Sequence, residues 1–550
     1  MKLVIVGGVA GGASAATRAR RLSEEAEIVV FERGPDVSFA NCGLPYHVGG
    51  IIPERGKLLV TTPAKLLERF RLDVRVRTSV EAIDRGRKVV RVKDLATGRE
   101  YDESYDMLIL SPGAAPIRPA IPGADLPGVM TLRNLQDVDR IKAVVDGGAR
   151  RAVVVGAGFI GLELVENLVH RGVETTLVES QAQVLPLLDR EMVAPLADAL
   201  QAAGVREIPS ATVVAIEARG DGYAVRLGSG EEVECDLVVL GVGVRPENRL
   251  AVDAGLAIAP RGGILVDKYL TTNDPDIFAV GDAVAAPDFF SGEPVQVPLA
   301  GPANRQGRIA ADNAFGRRVP YRGTQGTAIL GMFGKTVAVT GATEKMLRRA
   351  GTPFRKVYVH PAHHAGYYPG AEGMTLKLVF APDDGRLLGA QGVGGAGVDK
   401  RIDVLAVALQ ARMTVYDLEE LELCYAPQFG SAKDPVNMAG FVAAGLLRGD
   451  HPQLAVEDVL ALPEAERPWL VDVRTAKEYS DGHIPGAVNI PVDELRDRLA
   501  ELPQGRPLAV YCQVGQRGYI ATRLLRQHGH KAANLSGGYK TYRMFFPTGR

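Results

Sequence analysis

The sequence predicts an α/β protein with two Rossmann-like nucleotide-binding domains, an α+β domain and a C-terminal α/β domain. Two units carry most of this prediction, because in each an apolar strand runs into glycines, at residues 7–12 and at 156–161. Glycines at such a turn let the backbone approach a pyrophosphate at a helix N-terminus. A third observation defines the last domain: apolar residues 508–511 lead into a cysteine and a glycine-containing turn.

Composition limits the possible functions. A chain of 550 residues predicts three or four domains, and 64 Lys and Arg balance 65 Asp and Glu, which gives no electrostatic case for nucleic acid. No apolar run approaches a membrane span, so we expect no membrane partner. Four scattered cysteines form no disulfide framework. A first strand beginning at residue 2 leaves no room for a signal peptide, which favours the cytoplasm.

The first unit departs from the usual glycine pattern at one position. Val9 stands where the G-x-G-x-x-G fingerprint has its second glycine, although the flanking strand and helix are as expected. Glu32 ends the next strand, at the distance where a carboxylate binds a ribose 2′-OH. Residues 108–113 form an apolar strand and a turn back towards the pyrophosphate. The predicted contacts of this dinucleotide are Gly7, Gly11, Gly12, Glu32, Arg33, Ser111 and Gly113.

The second unit has the complete fingerprint between a strand and a helix. Its predicted dinucleotide contacts are Gly156, Gly158, Gly161 and Glu179. Glu179 ends the strand that begins at Glu174, eighteen residues after the last glycine of the fingerprint. A carboxylate at this position binds a bare 2′-OH and repels a 2′-phosphate, so we expect NADH to be preferred over NADPH.

Cys42 is the candidate reactive residue of the first unit. It lies in residues 38–46 (SFANCGLPY), ten residues after Glu32, in a short segment expected to open a helix. A helix N-terminus lowers the pKa of a thiol and favours the reactive thiolate. The alternative is a buried structural cysteine. The neighbouring Asn41, Gly43 and Pro45 indicate a shaped loop instead of a core strand, and therefore favour the reactive thiol.

The first 445 residues resemble the single-cysteine group of pyridine nucleotide-disulfide oxidoreductases, specifically the coenzyme A-disulfide reductases. Residues 38–46 are the most specific match, and residues 271–282 are a second. The resemblance implies FAD in the first site, with Gly281 and Asp282 towards its ribityl hydroxyls, and NADH in the second. No second cysteine lies near Cys42 in the sequence, which implies a mixed disulfide with a small thiol such as coenzyme A.

The same resemblance implies contacts beyond the dinucleotides. The residues implied to bind coenzyme A are Ser14, Arg18, Arg21, Ser38, Asn41 and Lys433. For each arginine the alternative is a solvated helix face. Tyr367 and Tyr425 are implied to reach Cys42 of the partner subunit, in a homodimer with shared active sites. A phenol can steady a thiolate or move its proton, whereas the alternative for each tyrosine is a packed interface residue.

Two further groups of residues receive no functional assignment. His360, His363 and His364 lie close together, but no spaced cysteine or carboxylate ligands accompany them, so we predict no metal site. Cys424 directly precedes Tyr425. Because neighbouring residues of a strand face opposite ways, we expect no redox role for Cys424.

The C-terminal residues resemble a rhodanese domain. Residues 482–491 (GHIPGAVNIP) and 512–518 (CQVGQRG) carry the resemblance. Backbone amides of the turn and Arg517 would stabilise a thiolate or a persulfide anion on Cys512. Four residues separate Cys512 from Arg517, whereas related phosphatases with a cysteine nucleophile have five. The shorter loop therefore favours sulfur over phosphate or arsenate.

Together these features predict a domain order and a function. The predicted ranges are an FAD-binding domain at 1–118 and 245–322, an NAD-binding domain at 119–244, a dimerisation domain at 323–445, a linker at 446–455 and a rhodanese domain at 456–550. The expected function is NADH-dependent reduction of coenzyme A persulfide, polysulfide or coenzyme A disulfide through Cys42, with the rhodanese domain handling sulfane sulfur. The alternatives are an NADH oxidase or peroxidase that uses a Cys42 sulfenic acid, and a redox-responsive sulfur carrier.

Overall fold

The computed structural model describes residues 1–547, which form two compact units. The first unit comprises Met1–Ala182 and Gly204–Gln325, and the second comprises Gln183–Ala203 and the chain from Gly326 onward. The last three residues of the predicted rhodanese range, 548–550, lie outside the described residues. No helix within residues 1–547 combines the length and apolarity needed to cross a membrane.

The helices and strands are numbered in chain order. Those of the first 182 residues are β1 (Lys2–Val6), α1 (Ala10–Arg20), β2 (Glu27–Phe31), α2 (Leu44–Val48), α3 (Pro63–Phe70), β3 (Asp73–Arg75), β4 (Thr78–Asp84), β5 (Val89–Asp94), β6 (Glu100–Ser104), β7 (Met107–Leu110), β8 (Ala114–Pro116), β9 (Val129–Met130), α4 (Leu135–Asp146), β10 (Arg151–Val155), α5 (Phe159–His170) and β11 (Glu174–Val178). Those up to residue 325 are α6 (Arg190–Ala202), β12 (Arg206–Ile208), β13 (Val213–Arg219), β14 (Gly222–Leu227), β15 (Glu232–Cys235), β16 (Leu237–Leu240), β17 (Val244–Pro246), α7 (Arg249–Asp253), β18 (Ile264–Leu265), β19 (Ile277–Ala279), β20 (Val284–Pro287), β21 (Pro294–Val295) and α8 (Ala300–Ala314).

The remaining elements lie in the second unit. They are β22 (Ala328–Met332), β23 (Lys335–Gly341), α9 (Glu344–Ala350), β24 (Arg355–Val359), β25 (Met374–Phe380), β26 (Leu387–Gly394), α10 (Val398–Gln410), α11 (Val415–Glu420), α12 (Pro435–Arg448), β27 (Gln453–Leu454), α13 (Val456–Ala461), β28 (Trp469–Asp472), α14 (Ala476–Ser480), β29 (Val488–Asn489), β30 (Leu508–Tyr511), α15 (Gln516–Gln527), β31 (Ala532–Leu535) and α16 (Gly538–Phe545).

The first unit contains the two predicted Rossmann-like sheets. One has the strand order β19-β7-β1-β2-β3 and the other β12-β11-β10-β16-β9, and all pairs within both are parallel. The central strands β1 and β10 are almost continuous runs of buried aliphatic residues. This pattern is typical of parallel strands covered on both faces. Antiparallel sheets β4-β5-β6 and β13-β14-β15 accompany them.

The second unit contains an antiparallel sheet and a parallel sheet. The order β22-β23-β26-β25-β24 gives the predicted α+β domain, and helices α10 and α12 pack on it. The order β27-β31-β30-β28-β29 gives the C-terminal α/β domain, with parallel pairs. Helix α12 begins with a capping box between Asp434 and Asn437 and ends at Gly449, whose φ is +80°. The predicted linker therefore includes the last residues of α12 and all of β27.

The C-terminal domain packs on the edge strand β24 of the antiparallel sheet. The ring of Tyr358 meets the edge of Phe545 at 6.4 Å between centroids. The two ring nitrogens of His360 each lie 2.8 Å from a hydroxyl oxygen, one of Thr375 and one of Thr541. Burial lowers the pKa of His360 to about 3, so the imidazole is neutral there. Helix α16 thus covers β24.

A buried ammonium group joins segment 183–203 to the same sheet. Lys377 Nζ lies 2.9 Å from Asp189, 2.6 Å from Glu191 and 2.7 Å from Glu344. Burial lowers the pKa of Lys377, but the three carboxylates outweigh burial and raise it above its ordinary value. Burial raises the pKa of Glu344, and the ammonium groups of Lys377 and Lys356 bring it down to about 2. The three carboxylates are close enough together to hold a metal ion, but Lys377 lies among them.

Replacing Lys377 by methionine is expected to lower the free energy of unfolding of the second unit by about 3–5 kcal/mol, because three carboxylates would remain buried without their cation. The single tryptophan, Trp469, lies in this unit, so its fluorescence during denaturation with urea measures the effect. Lys477→Met is the matched control, since its pair with Asp481 lies in the same unit and is solvent-exposed. Equal stability of the two variants would contradict the role given to Lys377.

Candidate active sites

The two glycine-rich turns have the same construction. A Cβ atom at Gly12 would lie 1.8 Å from the carbonyl oxygen of Gly7, and one at Gly161 would lie 2.0 Å from that of Gly156. Only glycine lets the helix approach the turn so closely at these two positions. Helix α1 begins at Ala10, directly after Val9, so the missing glycine of the first fingerprint does not prevent the turn. Both turns fit the phosphates of a dinucleotide.

The two predicted ribose carboxylates also occupy equivalent positions. Glu32 accepts hydrogen bonds from the amides of Gly8 at 2.9 Å and Gly34 at 2.7 Å. Glu179 accepts them from the amides of Ala157 at 2.7 Å and Gln181 at 2.8 Å. Each carboxylate is therefore fixed beside its glycine turn and keeps lone pairs for a ribose hydroxyl.

The other predicted flavin contacts lie around the first turn. Gly281 has a φ of +80°, and its amide donates to Gln306 Oε1 at 2.8 Å. Asp282 follows it in a 3₁₀ turn, and burial raises the pKa of its carboxyl. Ser111 directly follows β7. Gly113, two residues later, has a φ of +77°. Arg33 pairs with Glu247 at 2.6 Å.

Cys42 lies in a 3₁₀ turn, Asn41–Gly43, that leads directly into the short helix α2. The residue is exposed. The expectation of a lowered thiol pKa is wrong: partial burial raises the pKa of Cys42, and the carboxylates of Glu163 and Asp282 raise it further. The short helix does not outweigh burial and two carboxylates, since the effect of a helix dipole is confined to the first turn.

Glu163 is an acidic neighbour of Cys42 that the sequence did not reveal. It lies on α5, and the hydroxyl of Tyr46 donates to its Oε1 at 3.5 Å. Burial, with repulsion from Glu166, raises the pKa of Glu163 to about 7 despite that hydrogen bond. Burial and the same two glutamates raise the pKa of Tyr46 to about 12. Cys42 thus has beside it a carboxyl that can hold or release a proton near neutral pH.

Three predicted coenzyme A contacts have partners within the first unit. The hydroxyl of Ser14 donates to Asn304 Oδ1 at 2.5 Å, and the guanidinium of Arg18 pairs with Asp312 at 2.7 Å. The side-chain amide of Asn41 donates to a backbone carbonyl at 3.1 Å. The remaining three are Ser38, with a φ of +48°, and the exposed Arg21 and Lys433. Asn304 was missed because it is 290 residues from Ser14.

The two predicted active-site tyrosines lie together in the second unit. The hydroxyls of Tyr367 and Tyr425 are 2.8 Å apart, which raises the pKa of Tyr367. Both side chains are solvent-exposed, Tyr367 by 76% and Tyr425 by 47%. Cys424 is also exposed, but residues 421–426 form no strand, so the strand argument about Cys424 does not apply.

The three clustered histidines have separate environments. His360 is bound between two threonines, as described above, and His364 is buried against the edge of the Tyr368 ring at 5.5 Å. His363 Nδ1 accepts a hydrogen bond from the amide of Glu372 at 3.0 Å. Each imidazole therefore has a structural role in this domain.

The C-terminal domain places Cys512 directly after β30. The amide of Gly515 donates to Cys512 Sγ at 3.2 Å, and Gly515 has a φ of +105°. The amide of Tyr539 donates to the carbonyl oxygen of Cys512 at 2.8 Å, and the side-chain amide of Asn534 donates to that of Gly515 at 2.9 Å. The loop is thus fixed from both sides, with a donor directed at the sulfur.

Arg517, predicted to face the same sulfur, has a carboxylate partner. Its two terminal nitrogens donate to the two oxygens of Glu478, each at 2.7 Å. Both Glu478 and the Cys512 side chain raise the pKa of Arg517. Glu478 also completes the capping box of α14 with Thr475. No sequence motif linked Glu478 to Arg517, which is 39 residues away.

Sequence profiles of known families match most of the chain. The pyridine nucleotide-disulphide oxidoreductase profile matches residues 1–307, and the dimerisation domain of the same class matches 330–434. A rhodanese-like domain matches residues 455–544. Two dinucleotide turns beside an isolated thiol, followed by these domains, define a pyridine-nucleotide-dependent oxidoreductase with a sulfurtransferase-type C-terminal domain. The chain belongs to the pyridine nucleotide-disulphide oxidoreductase family.

Individual relatives are similar to this chain over four-fifths of its length or more. A coenzyme A disulfide reductase of Staphylococcus haemolyticus is 36% identical over 447 residues, which are 81% of this chain and 100% of that protein. The crystal structure of reduced Bacillus anthracis CoADR-RHD is 47% identical, covers 99% of this chain and 98% of its own, and has a TM-score of 0.96. A NAD-dependent persulfide reductase from A. fulgidus is 36% identical, covers 98% and 100%, and has a TM-score of 0.92.

Replacing Glu163 by glutamine is expected to speed alkylation of Cys42. Above neutral pH the Glu163 carboxylate is charged and raises the pKa of Cys42, so its removal increases the thiolate fraction at pH 8. The rate of iodoacetamide labelling at Cys42, read by peptide mass spectrometry, should rise roughly threefold. Glu166→Gln, on the same helix, is the control and should have the smaller effect. A slower reaction in Glu163→Gln would contradict the electrostatic role.

Proposed function

We propose that this protein uses NADH and FAD to reduce coenzyme A persulfide, a polysulfide or coenzyme A disulfide through Cys42, while Cys512 handles sulfane sulfur. The observation that carries the proposal is one exposed thiol beside a dinucleotide turn, in a chain that also holds a complete cysteine loop of the rhodanese type. The activities named for the staphylococcal and A. fulgidus relatives support it. An NADH oxidase would have no use for the Cys512 loop of the C-terminal domain.

The two dinucleotide turns have distinct assignments in this proposal. The first turn, with Glu32 and Asp282, would hold FAD, and the second, with Glu179, would hold NADH. Bound there, the two cofactors supply the pair of electrons that breaks a disulfide. The amides of the turns bind phosphate, and the two fixed glutamates orient the ribose rings. The predicted domain bounds, with NAD at 119–244 between two FAD segments, belong to the same proposal.

Cys42 performs the covalent step. Its thiolate attacks the inner sulfur of coenzyme A persulfide, hydrosulfide leaves, and a disulfide between Cys42 and coenzyme A remains. Two electrons then cleave this disulfide, regenerate the Cys42 thiolate and release coenzyme A as a thiolate that takes up a proton. The carboxyl of Glu163, with its pKa near 7, is suited to holding that proton.

Cations and polar groups of this chain would bind coenzyme A. The proposed contacts are Ser14, Arg18, Arg21, Ser38, Asn41 and Lys433. Cations among them suit the phosphates of the adenosine end. Because Arg18 is already paired with Asp312, its guanidinium would orient a phosphate by hydrogen bonds more than it would add net positive charge.

A homodimer with shared active sites completes the proposal. The dimerisation-domain match supports a dimer, and the exposed Tyr367–Tyr425 pair suits contact with Cys42 of the partner subunit. In that arrangement one phenol steadies the thiolate and the second passes on its proton. We place the protein in the cytoplasm, where NADH and reduced coenzyme A are available.

The two cysteine substitutions are expected to fail differently. Cys42→Ser should lower the rate of NADH-dependent reduction of preformed coenzyme A persulfide about 1,000-fold or more, because the nucleophile is lost. Cys512→Ser should retain that reduction and lose persulfide formation in the C-terminal domain. Cys424→Ser, which removes another exposed thiol, is the control for both assays. Comparable loss of persulfide reduction in Cys512→Ser would refute the division between the two cysteines.

Glu179→Gln is expected to raise the kcat/KM for NADPH about tenfold, because the 2′-phosphate would no longer meet a carboxylate. The wild-type protein should clearly prefer NADH, and steady-state rates with both nucleotides measure the ratio. Glu32→Gln makes the same change at the equivalent position of the first turn. It should weaken FAD retention and leave the NADH-to-NADPH ratio as it is. A wild-type preference for NADPH would sink the assignment of Glu179.

A further inference from the structure

The charges around Cys512 are unusual for a site that would accept a small dianion. Arg517 is held by both oxygens of Glu478, so the cation beside the sulfur is already neutralised. The pair is only about one-third exposed, which keeps it from being fully screened by solvent.

The second arginine near the loop is neutralised in the same way. The guanidinium of Arg474 pairs with Asp472 at 2.7 Å and donates to the carbonyl oxygen of Gly482 at 2.6 Å. A third donor reaches Gln513 Oε1 at 3.2 Å, and the ring of Tyr539 lies 4.2 Å from the guanidinium carbon. Its hydrogen-bonding capacity is directed into the protein, where it supports the loop.

Helix α16, which closes the loop, carries Lys540 in its first turn and Arg543 in its last turn. The amide of Lys540 donates to the carbonyl oxygen of Gln513 at 2.9 Å. Burial, and repulsion from Lys335, lower the pKa of its ammonium group. Lys540 thus contacts the loop through its backbone amide, and its ammonium group lacks the planar fork of donors of an arginine.

We propose that Glu478 is a specificity-determining residue that makes Cys512 accept sulfur from persulfides of organic thiols and discriminate against thiosulfate. The inference rests on the proposed sulfur-handling role of Cys512. A persulfide brings at most one charge to the reacting end, which the amide of Gly515 can meet. Thiosulfate brings two charges, for which an unpaired arginine would be needed.

Both transfers are the same displacement, and they differ only in the leaving group. The Cys512 thiolate attacks the outer sulfur of an organic persulfide, the S–S bond breaks, and the thiolate of the carrier leaves. With thiosulfate the same attack breaks the S–S bond and releases sulfite as a dianion. In each case Cys512 ends as a persulfide anion, and no external oxidant or reductant is consumed. Glu478 raises the barrier to sulfur transfer from thiosulfate, because the departing sulfite dianion needs the charge of Arg517.

Glu478 acts through Arg517 and touches no reacting atom, so it is a positioning residue. Glutamine at this position can still complete the capping box with Thr475, because both Glu and Gln serve at the third helical position. Glu478→Gln therefore removes the charge while keeping the local helix start. Glu478→Asp keeps the charge and shortens the side chain.

The test measures persulfide on Cys512 in the full-length holoenzyme by mass spectrometry, after mixing with thiosulfate or with N-acetylcysteamine persulfide. We expect the wild-type protein to react faster with the organic persulfide. In Glu478→Gln the ratio of the rate with thiosulfate to the rate with the persulfide should rise about tenfold. This is the effect expected when the charge of Arg517 is freed at a partly exposed site. Glu478→Asp should keep the wild-type ratio. Glu501→Gln removes a similar carboxylate, paired with Arg498 at 2.6 Å elsewhere in the domain, and is the matched control.

The outcomes separate this inference from the proposed function. Equal use of both donors by the wild-type protein, or an unchanged ratio in Glu478→Gln, would overturn donor selection while leaving sulfur handling intact. An equal change in Glu501→Gln would also overturn it, since the effect would then be general. Failure of Cys512 to accept sulfur from either donor would overturn both the inference and the role proposed for Cys512. A rise in the ratio confined to Glu478→Gln supports the inference.

Discussion

The second unit depends on one buried ammonium group. Lys377 lies among three carboxylates, two of them from segment 183–203 and one from the start of α9. Separating any of these elements would leave a charge in the protein interior without its partner, which is far costlier than losing an apolar contact. The hydroxyl of Tyr358 donates to Glu191 at 2.8 Å, so the same network reaches the strand on which the C-terminal domain rests. Electrostatics therefore fixes how three parts of this unit fit together.

A different electrostatic balance governs the reactive thiol. Partial burial raises the pKa of Cys42, and the nearby carboxyls of Glu163 and Asp282 raise it further. An uncharged thiol is a poor nucleophile, so the surroundings of the free protein restrain Cys42. Protonation of Glu163 near neutral pH relieves part of this restraint. The same carboxyl that restrains the thiol can thus take part in proton balance when a mixed disulfide is cleaved.

The features of the fold that depend on neighbouring residues could be predicted from the sequence. The glycine turns at 7–12 and 156–161, and the loop after Cys512, are set by neighbouring residues, and each has the expected geometry. The Rossmann-like sheets and the α+β and C-terminal domains also follow from strand and helix patterns. The thiol pKa at Cys42 was predicted wrongly because burial raises it, and so does Glu163, which lies on another helix 121 residues later in the sequence. Contacts between distant segments carry no signal in a single sequence.

The seating of helix α16 on strand β24 has an evolutionary consequence. The C-terminal domain covers Tyr358 and His360 there, so these side chains suit a chain that continues past residue 455. The staphylococcal relative aligns over its whole length to 81% of this chain. Without that domain, water would meet this edge of the sheet, and His360 would lose its Thr541 partner. Gain or loss of the C-terminal domain would therefore change the surroundings of Tyr358 and His360.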